Sequence, residues 1–244
     1  MFQAQRPWYK RGLTIVGLIL AVIVLSGLGL FIWQTNAYYQ QMKKGYGGAE
    51  FMPISQSGDT NLTSFQDSER QRIKKLVAGQ QGDPFAGPAD AKSEIVEFVD
   101  YGCMYCAMSV GAIKDLIKLR PDIKITLRDY PVVSLHPNAR NASMAARCVW
   151  NQGNEEIFWK YHDLLYGQQD KHDPISLRQF VRTAGGDVIT YDRCMKNEEP
   201  AGLIGQSIMD ADQAGVYGTP TFFVDGVKLQ GAHDMESLIK FLNN

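Results

Sequence analysis

Two cysteines separated by two residues, Cys103 and Cys106, are the strongest chemical signal in the chain. A strand is predicted over Glu94–Val99 (EIVEFV) and a helix over Met104–Leu119, so the pair stands where a strand passes into a helix. The unpaired N–H groups and the positive dipole end of a helix N-terminus stabilise a thiolate. Cys103 is therefore predicted to be the nucleophile that attacks a partner's sulfur, and Cys106, one turn into the helix, the resolving thiol.

A metal site is the alternative use of this cysteine pair. Zinc needs two more ligands at suitable spacing, and the sequence contains no second C-x-x-C and no H-x-x-x-H. A Cu(I) module is a further alternative, in which Cys103, Cys106 and Met104 supply soft sulfur ligands. The prediction is a redox pair that holds no metal and no cofactor.

The other two cysteines, Cys148 and Cys194, have 45 residues between them. Four cysteines permit three pairings. Two intervening residues suit a reactive pair, whereas 45 suit a structural bridge that closes a long loop.

The elements that follow the cysteine pair predict a β-α-β unit, then a block of helices, and then a hairpin with a closing helix. A second strand is predicted over Ile123–Arg128, and the Asp225-Gly226 pair predicts the hairpin turn. The remaining predicted elements are helices over Asn138–Trp150, Glu155–Tyr166, Ser176–Ala184, Val188–Met195 and Pro200–Ala214, strands over Thr221–Val224 and Val227–Leu229, and a helix from Met235.

Residues 12–33 form an uncharged, mostly apolar run of 22 residues. At about 1.5 Å per residue, a helix of this length crosses a hydrocarbon core of roughly 30 Å. A cleaved secretory signal, the alternative, has a shorter apolar core and a small-residue cleavage site, whereas this run ends in Phe31, Ile32 and Trp33. The run predicts a retained transmembrane anchor.

Three basic residues, Arg6, Lys10 and Arg11, lie on the N-terminal side of this predicted anchor. The positive-inside rule then predicts a cytoplasmic tail at residues 1–11 and a single pass through the inner (cytoplasmic) membrane. The rest of the chain is expected on the periplasmic, extracytoplasmic side, where disulfides persist.

Residues 34–82 are rich in Gln, Gly, Ser and Asp and are predicted to be a stalk. Within it, Ser64–Ala78 predicts a short helix, which either packs on the main domain or pairs two chains in a homodimer. The chain carries 25 basic and 26 acidic residues without a dense Lys/Arg block, which argues against a nucleic-acid partner.

The run DPFAGPADAKSEIVEFVDYGCMYC (Asp83 to Cys106), the later GTPTFFVDG (Gly218 to Gly226) and the helical block between them closely resemble the DsbA-like family of thiol-disulfide oxidoreductases. The resemblance covers about residues 83–244. It implies an α/β thioredoxin fold with an inserted α-helical domain at about residues 134–205, here preceded by the single N-terminal transmembrane helix and the stalk.

The resemblance also implies a substrate-binding loop. In the family, the loop that faces the cysteine pair ends in a cis-proline, which matches Pro220, with Thr219 before it. Backbone groups of this loop hold an extended peptide by strand addition. Met104 and Tyr105, between the two cysteines, are expected to contribute to the same surface, whereas a packing or capping role is expected for His136.

Two further roles follow from the resemblance. Glu97, six residues before Cys103, matches a buried acid that lies beneath the resolving cysteine and accepts the proton of Cys106. The alternative is that the Glu97 side chain faces solvent. Cys148 and Cys194 fall in the helical insertion, where some relatives hold a second, structural disulfide.

The direction of electron flow is the open question. An oxidase would donate its disulfide to exported proteins with cysteines and be reoxidised by a quinone-linked, DsbB-like membrane partner. An isomerase or reductase would be kept reduced by a DsbD-like transmembrane electron donor, and a chaperone-like protein would only bind peptides. The dipeptide Met104-Tyr105 departs from the Pro-His of strongly oxidising members and brings no positive charge, which predicts a weaker oxidant. Despite this departure, the oxidase is the predicted function among these three alternatives.

Overall fold

The computed structural model describes residues 22, 24–36 and 60–242. The chain divides into two compact units, Met1–Asp59 and Thr60–Asn244. In the first unit, residues 24–36 are helical. The predicted tail at 1–11, half of the predicted anchor at 12–33 and much of the predicted stalk lie outside the described residues. Within the described part of the chain, no helix has both the length and the apolar character needed to cross a bilayer.

Five strands of the second unit form one mixed sheet. They are β1 (Phe85–Ala86), β2 (Glu94–Val99), β3 (Lys124–Asp129), β4 (Thr221–Val224) and β5 (Val227–Gln230), and they lie in the order β1-β3-β2-β4-β5. β2 is central, with β3 parallel on one side and β4 antiparallel on the other. The short edge strand β1 was not among the sequence predictions.

Helices cover the sheet and form the insertion between β3 and β4. They are α1 (Thr60–Val77), α2 (Met104–Leu119), α3 (Ala139–Trp150), α4 (Glu155–Gly167), α5 (Pro174–Ala184), α6 (Val188–Lys196), α7 (Ala201–Gln213) and α8 (Met235–Leu242). Each helix predicted between residues 64 and 242 is present, with its ends within four residues of the predicted ones. α5 begins at Pro174 because Asp173 caps it, accepting hydrogen bonds from two backbone N–H groups.

Both faces of β2 are buried, which explains its nearly continuous apolar sequence. Successive side chains of a strand point to opposite faces. Ile95 packs in a cluster with Ile113 and Leu116 of α2, whereas Val96 packs on the other face with Ala211 of α7. The domain is therefore an α/β structure with helices on both sides of the sheet.

Helix α1 packs within the compact unit Thr60–Asn244, on the N-terminal side of the predicted domain boundary at residue 83. The reason is the apolar end of α1, where Val77 is buried in one cluster with Phe98. Lys74 Nζ also lies 2.7 Å from Asp225 Oδ1 in the β4–β5 turn. Of the two alternatives for this helix, packing on the main domain is the one the structure shows.

The insertion has a core of its own that is continuous with the cysteine pair. Cys103 and Cys106 share one cluster of buried residues with side chains of α3, α4, α5 and α6. A disulfide joins Cys148 of α3 to Cys194 of α6, with 5.7 Å between their Cα atoms. The helical insertion is thus packed against the site.

Beneath α3, the buried guanidinium of Arg147 is ion-paired with Asp129 and with Asp83, whose Oδ1 lies 2.6 Å from Arg147 Nη2. Arg128 is equally buried and pairs with Asp210 at 2.7 Å. These pairs tie the insertion and α7 to β3.

Candidate active site around Cys103 and Cys106

Cys103 is the residue immediately before α2 and occupies the N-cap position, with φ −81° and ψ 121°. Cys106 lies in the first turn of the same helix. Both thiols are free in the structure, and both residues are buried, with 6 % of Cys103 and 1 % of Cys106 exposed. The sheet places them because β2 ends at Val99, four residues earlier.

The environment separates the acidities of the two thiols. Hydrogen bonding to the Cys106 thiol, to the Thr219 side chain and to the N–H groups of Cys106 and Tyr105 outweighs burial and lowers the pKa of Cys103 to about 5. Burial, the Cys103 thiol and the charge of Glu97 raise the pKa of Cys106. Cys103 is therefore a thiolate at neutral pH in the reduced protein, whereas Cys106 keeps its proton.

Glu97 is buried on the face of β2 that α2 covers. Alternation along the strand puts it on the same side as Ile95 and Val99, and only 4 % of the residue is exposed. Burial raises its pKa from 4.5 to about 8, so the carboxyl is mostly protonated at neutral pH. Its charge, once formed, acts on the Cys106 thiol. The alternative of a solvent-facing Glu97 is not what the structure shows.

The loop before β4 faces the cysteine pair. The Thr219–Pro220 peptide bond is cis, and the Cys103 sulfur lies 3.2 Å from the backbone carbonyl oxygen of Thr219, which accepts a hydrogen bond when the thiol is protonated. The sheet register explains this approach, because Thr221 at the start of β4 is opposite Phe98 near the end of β2. Residues 116 positions apart in sequence thus meet at one end of the sheet.

An acid that the sequence analysis did not single out shapes the turn between β2 and α2. The buried carboxylate of Asp100 accepts hydrogen bonds from the N–H groups of Gly102 (2.7 Å) and Val132 (2.8 Å), and its Oδ2 lies 2.8 Å from His136 Nδ1. A Cβ atom on Gly102 would lie 2.6 Å from the Cβ of His136, so the position requires glycine. His136 therefore contacts Asp100 and lies close to Gly102 in this turn. The sequence feature that could have indicated Asp100 is its position two residues before Gly102, because an Asp side chain commonly accepts a hydrogen bond from the backbone N–H two residues later.

Gln169 is a second residue that sequence reasoning missed. It lies between α4 and α5, and its side-chain amide donates to the backbone carbonyls of Tyr101 (2.8 Å) and Cys103 (2.9 Å). No local motif marks it, since the contact spans 66 residues from Cys103.

Apolar side chains stand exposed around the buried thiol. Met104 is 61 % and Tyr105 is 55 % exposed, and they sit between the two cysteines. Tyr217, on the loop that leads to Pro220, is 82 % exposed. Tyr101, by contrast, is buried and stacks against Tyr166, with 5.1 Å between the ring centroids. The four predicted substrate-binding residues, Met104, Tyr105, Thr219 and Pro220, thus come from the helix start and the loop on either side of Cys103.

No group of three or more His, Cys, Asp or Glu side chains is arranged to hold a metal ion within residues 22, 24–36 and 60–242.

A family model described as "Thioredoxin" matches residues 79–244, which includes the cysteine pair and the cis-proline loop. The chain belongs to the thioredoxin family. The predicted thioredoxin fold is confirmed, and the DsbA-like proteins that the chain resembles share this fold.

Two solved structures illustrate the likeness. A thioredoxin-like oxidoreductase from Silicibacter pomeroyi DSS-3 is 25 % identical, with a TM-score of 0.62 over 69 % of this chain and 95 % of that one. The thiol-disulfide exchange protein alpha-DsbA2 from Wolbachia pipientis is 22 % identical, with a TM-score of 0.66 over 76 % of this chain and 98 % of that one. At this identity, the similarity to alpha-DsbA2 shows a shared fold.

Curated relatives match over a smaller share of their own length. The Na(+)/H(+) antiporter NhaA 3 of Salinispora tropica is 33 % identical over 156 residues, which is 64 % of this chain and 24 % of the antiporter. The NhaA of Herminiimonas arsenicoxydans is 29 % identical over 161 residues, 66 % of this chain and 25 % of that protein. This chain therefore spans about a quarter of the length of these relatives.

Proposed function

We propose that the protein is an extracytoplasmic dithiol oxidase that transfers the Cys103–Cys106 disulfide to exported proteins. The observation that carries this proposal is the position of Cys103 at the N-cap of α2 opposite the cis Thr219–Pro220 bond, where the pKa of its thiol is lowered to about 5. Stabilising the reduced form of a dithiol makes its disulfide more oxidising. A low pKa also makes Cys103 a good leaving group in the final step.

The proposed reaction has two exchanges. A substrate thiolate attacks the Cys103 sulfur of the oxidised enzyme, the bond to Cys106 breaks, and Cys106 leaves with the electron pair. Neutral Glu97 is the proposed source of the proton that Cys106 then takes up, since its pKa of about 8 keeps it mostly protonated at neutral pH. A second substrate thiolate attacks the substrate's sulfur in the mixed disulfide. Cys103 leaves as a thiolate, and the substrate is oxidised by two electrons.

The surroundings of Cys103 favour an unfolded chain as the substrate. Met104 and Tyr105, between the two cysteines, offer exposed apolar surface, and Tyr217 is exposed on the loop that leads to Pro220. The Cys103 sulfur lies 3.2 Å from the Thr219 carbonyl oxygen, and we propose that the Thr219 backbone binds an extended peptide by strand addition. Newly exported proteins that contain cysteines present both features.

A membrane anchor at residues 12–33 is part of the proposal. The 22-residue uncharged run and the basic residues before it support an inner-membrane location with the catalytic domain outside the cytoplasm. The described apolar side chains of this segment, such as Phe31 and Trp33, are exposed, at 66 % and 71 %. A quinone-linked, DsbB-like membrane protein is the proposed reoxidation partner.

The first test is the reduction potential of the pair. A thiol pKa of about 5 lies between the roughly 7 of thioredoxin and the roughly 3.5 of DsbA, whose potentials are about −270 and −120 mV. Interpolation between these proteins gives about −180 mV for this one. The full-length protein in detergent would be equilibrated with defined glutathione ratios, and mass spectrometry of the peptide that contains both Cys103 and Cys106 would give the oxidised fraction. That peptide excludes the Cys148–Cys194 disulfide from the reading.

The uncharged Met104-Tyr105 dipeptide favours a second candidate, an isomerase or reductase kept reduced by a DsbD-like donor. A potential near the roughly −270 mV of thioredoxin would support it and reject the oxidase.

Trapping in cells gives an independent check of disulfide exchange with exported proteins. Cys106→Ala removes the resolving thiol and is expected to accumulate mixed disulfides with these proteins. Cys103→Ala is the matched control and should trap none.

A further inference from the structure

We infer that Gln169 is a positioning residue for the Cys103 nucleophile, through which the helical insertion holds the catalytic turn. The inference deepens the proposed function and rests on Cys103 being its nucleophile. Its basis is one amide group that bonds two carbonyls of the turn. The Nε2 atom of Gln169 lies 2.8 Å from the carbonyl oxygen of Tyr101 and 2.9 Å from that of Cys103.

An amide NH₂ group has two hydrogens, so these two bonds use its whole donor capacity. The Cys103 backbone is held from both sides, because its N–H donates to the Asp100 carbonyl at 3.0 Å while its carbonyl accepts from Gln169. The Cys103 carbonyl also accepts the first helical N–H, from Ala107, at 3.2 Å. Gln169 therefore fixes the residue from which α2 starts.

Gln169 is itself well anchored at the α4–α5 connection. The ring of His172, three residues later, is buried and donates from Nε2 to the Leu165 carbonyl at 3.0 Å, which ties the connection back to α4. The backbone N–H of Lys171 donates to the Gln168 carbonyl and closes a turn around Gln169. Gln169 is thus held by the insertion while its side chain contacts the turn before α2.

Two effects make this contact matter for the thiol. The N–H groups that stabilise the thiolate belong to α2, and they reach the sulfur only while Cys103 keeps its N-cap geometry. The partial positive charge of the amide hydrogens also offsets the negative carbonyl oxygens beside the sulfur, which favours the ionised form. Losing the amide is therefore expected to raise the pKa of Cys103.

The same contact should matter little for folding. Gln169 borders an open, polar recess of about 210 Å³ that His136 and His172 also line, so water can enter and satisfy the two carbonyls when the amide is removed. A water molecule restores the hydrogen bonds without restoring a fixed geometry. The expected signature is a change in thiol chemistry that exceeds the change in stability.

The test is Gln169→Met, which keeps the length of the side chain and removes both donors. We expect the pKa of Cys103 to rise from about 5 to about 6, the scale of one net hydrogen bond. At neutral pH this makes the reduced form about tenfold less favoured, so the potential falls by about 30 mV. The pKa is read from the ultraviolet absorbance of the thiolate against pH, and the potential from glutathione equilibration, both on the full-length chain in detergent. The neighbouring variant Gln168→Met is the matched control and should leave both values unchanged.

Gln169→Glu is the second variant, because it keeps the shape, removes the donors and brings an acceptor towards the two carbonyls. Its Cys103 pKa should rise at least as far as that of Gln169→Met. If both variants lower the melting temperature but leave the pKa and the potential at wild-type values, or if neither folds, Gln169 is a structural residue only and the inference is wrong. The wild-type protein, assayed alongside for oxidation of a dithiol peptide, tests the proposed function separately.

Discussion

Replacing Glu97 by Gln should stabilise the folded protein, and increasingly so as the pH rises. Glu97 lies on the central strand with Leu127 and Phe222 as its neighbours on β3 and β4, and burial raises its pKa from 4.5 to about 8. In the unfolded chain the carboxyl regains its ordinary pKa. Between these two values the native state binds a proton that the unfolded state has released, so the unfolding free energy falls as the pH increases.

The size of the effect follows from the two pKa values. Each pH unit between them corresponds to about 1.4 kcal/mol, so Glu97 lowers the unfolding free energy by about 3 kcal/mol at pH 7 and by up to about 5 kcal/mol above pH 8. Glu97→Gln cannot ionise and escapes this loss. Relative to the parent, the variant should therefore gain about 4 kcal/mol between pH 5 and pH 9.

The assay is urea unfolding at several pH values in a Cys103→Ser/Cys106→Ser background. This background removes the titration of the two thiols, and it needs no reductant, so the Cys148–Cys194 disulfide stays intact. Glu94→Gln is the matched control, since Glu94 lies on the same strand but is ion-paired with Lys124 at 3.0 Å. A stability difference between Glu97→Gln and its parent that stays constant from pH 5 to pH 9 would refute the reasoning, because it would mean that Glu97 does not ionise on unfolding.

Three further predictions concern the loop, the disulfide and the buried charges. Thr219→Val removes a side chain that stabilises the Cys103 thiolate, so thiolate absorbance should show the pKa of Cys103 rising by about half a pH unit to one pH unit; no rise would exclude that contribution. Cys148→Ala with Cys194→Ala opens a link across 46 positions and should lower the unfolding free energy by about 4 kcal/mol in urea, while glutathione equilibration should find the potential of the other pair unchanged. Arg147→Met leaves two carboxylates buried without their counter-charge and should lower the unfolding free energy by about 3–5 kcal/mol in the same assay. Lys160→Met is the control, since its partner Glu156 is exposed, and it should lower the unfolding free energy by less than about 1 kcal/mol.

Much of the fold could be predicted from local patterns. β2, β4 and the helices are marked by strand propensity, caps and periodicity, which depend on neighbouring residues alone. The edge strand Phe85–Ala86 escaped prediction because two residues carry no periodicity, and only pairing with β3 makes them a strand. The packing of α1 cannot be predicted from local patterns either, since it depends on surfaces of α7 and β2 that are distant in sequence.

The chemistry of the site divides in the same way. The sequence alone determined that Cys103 and Cys106 stand at the start of a helix, because a strand, a turn glycine and a helix follow one another within a few residues. Only the tertiary structure decided that Glu97 is buried, that the Thr219 carbonyl meets the Cys103 thiol and that Gln169 holds the Cys103 backbone. Each of these depends on which elements pack together across the sheet and the insertion, and the low dielectric and the fixed contacts that shift the pKa values arise only from that packing.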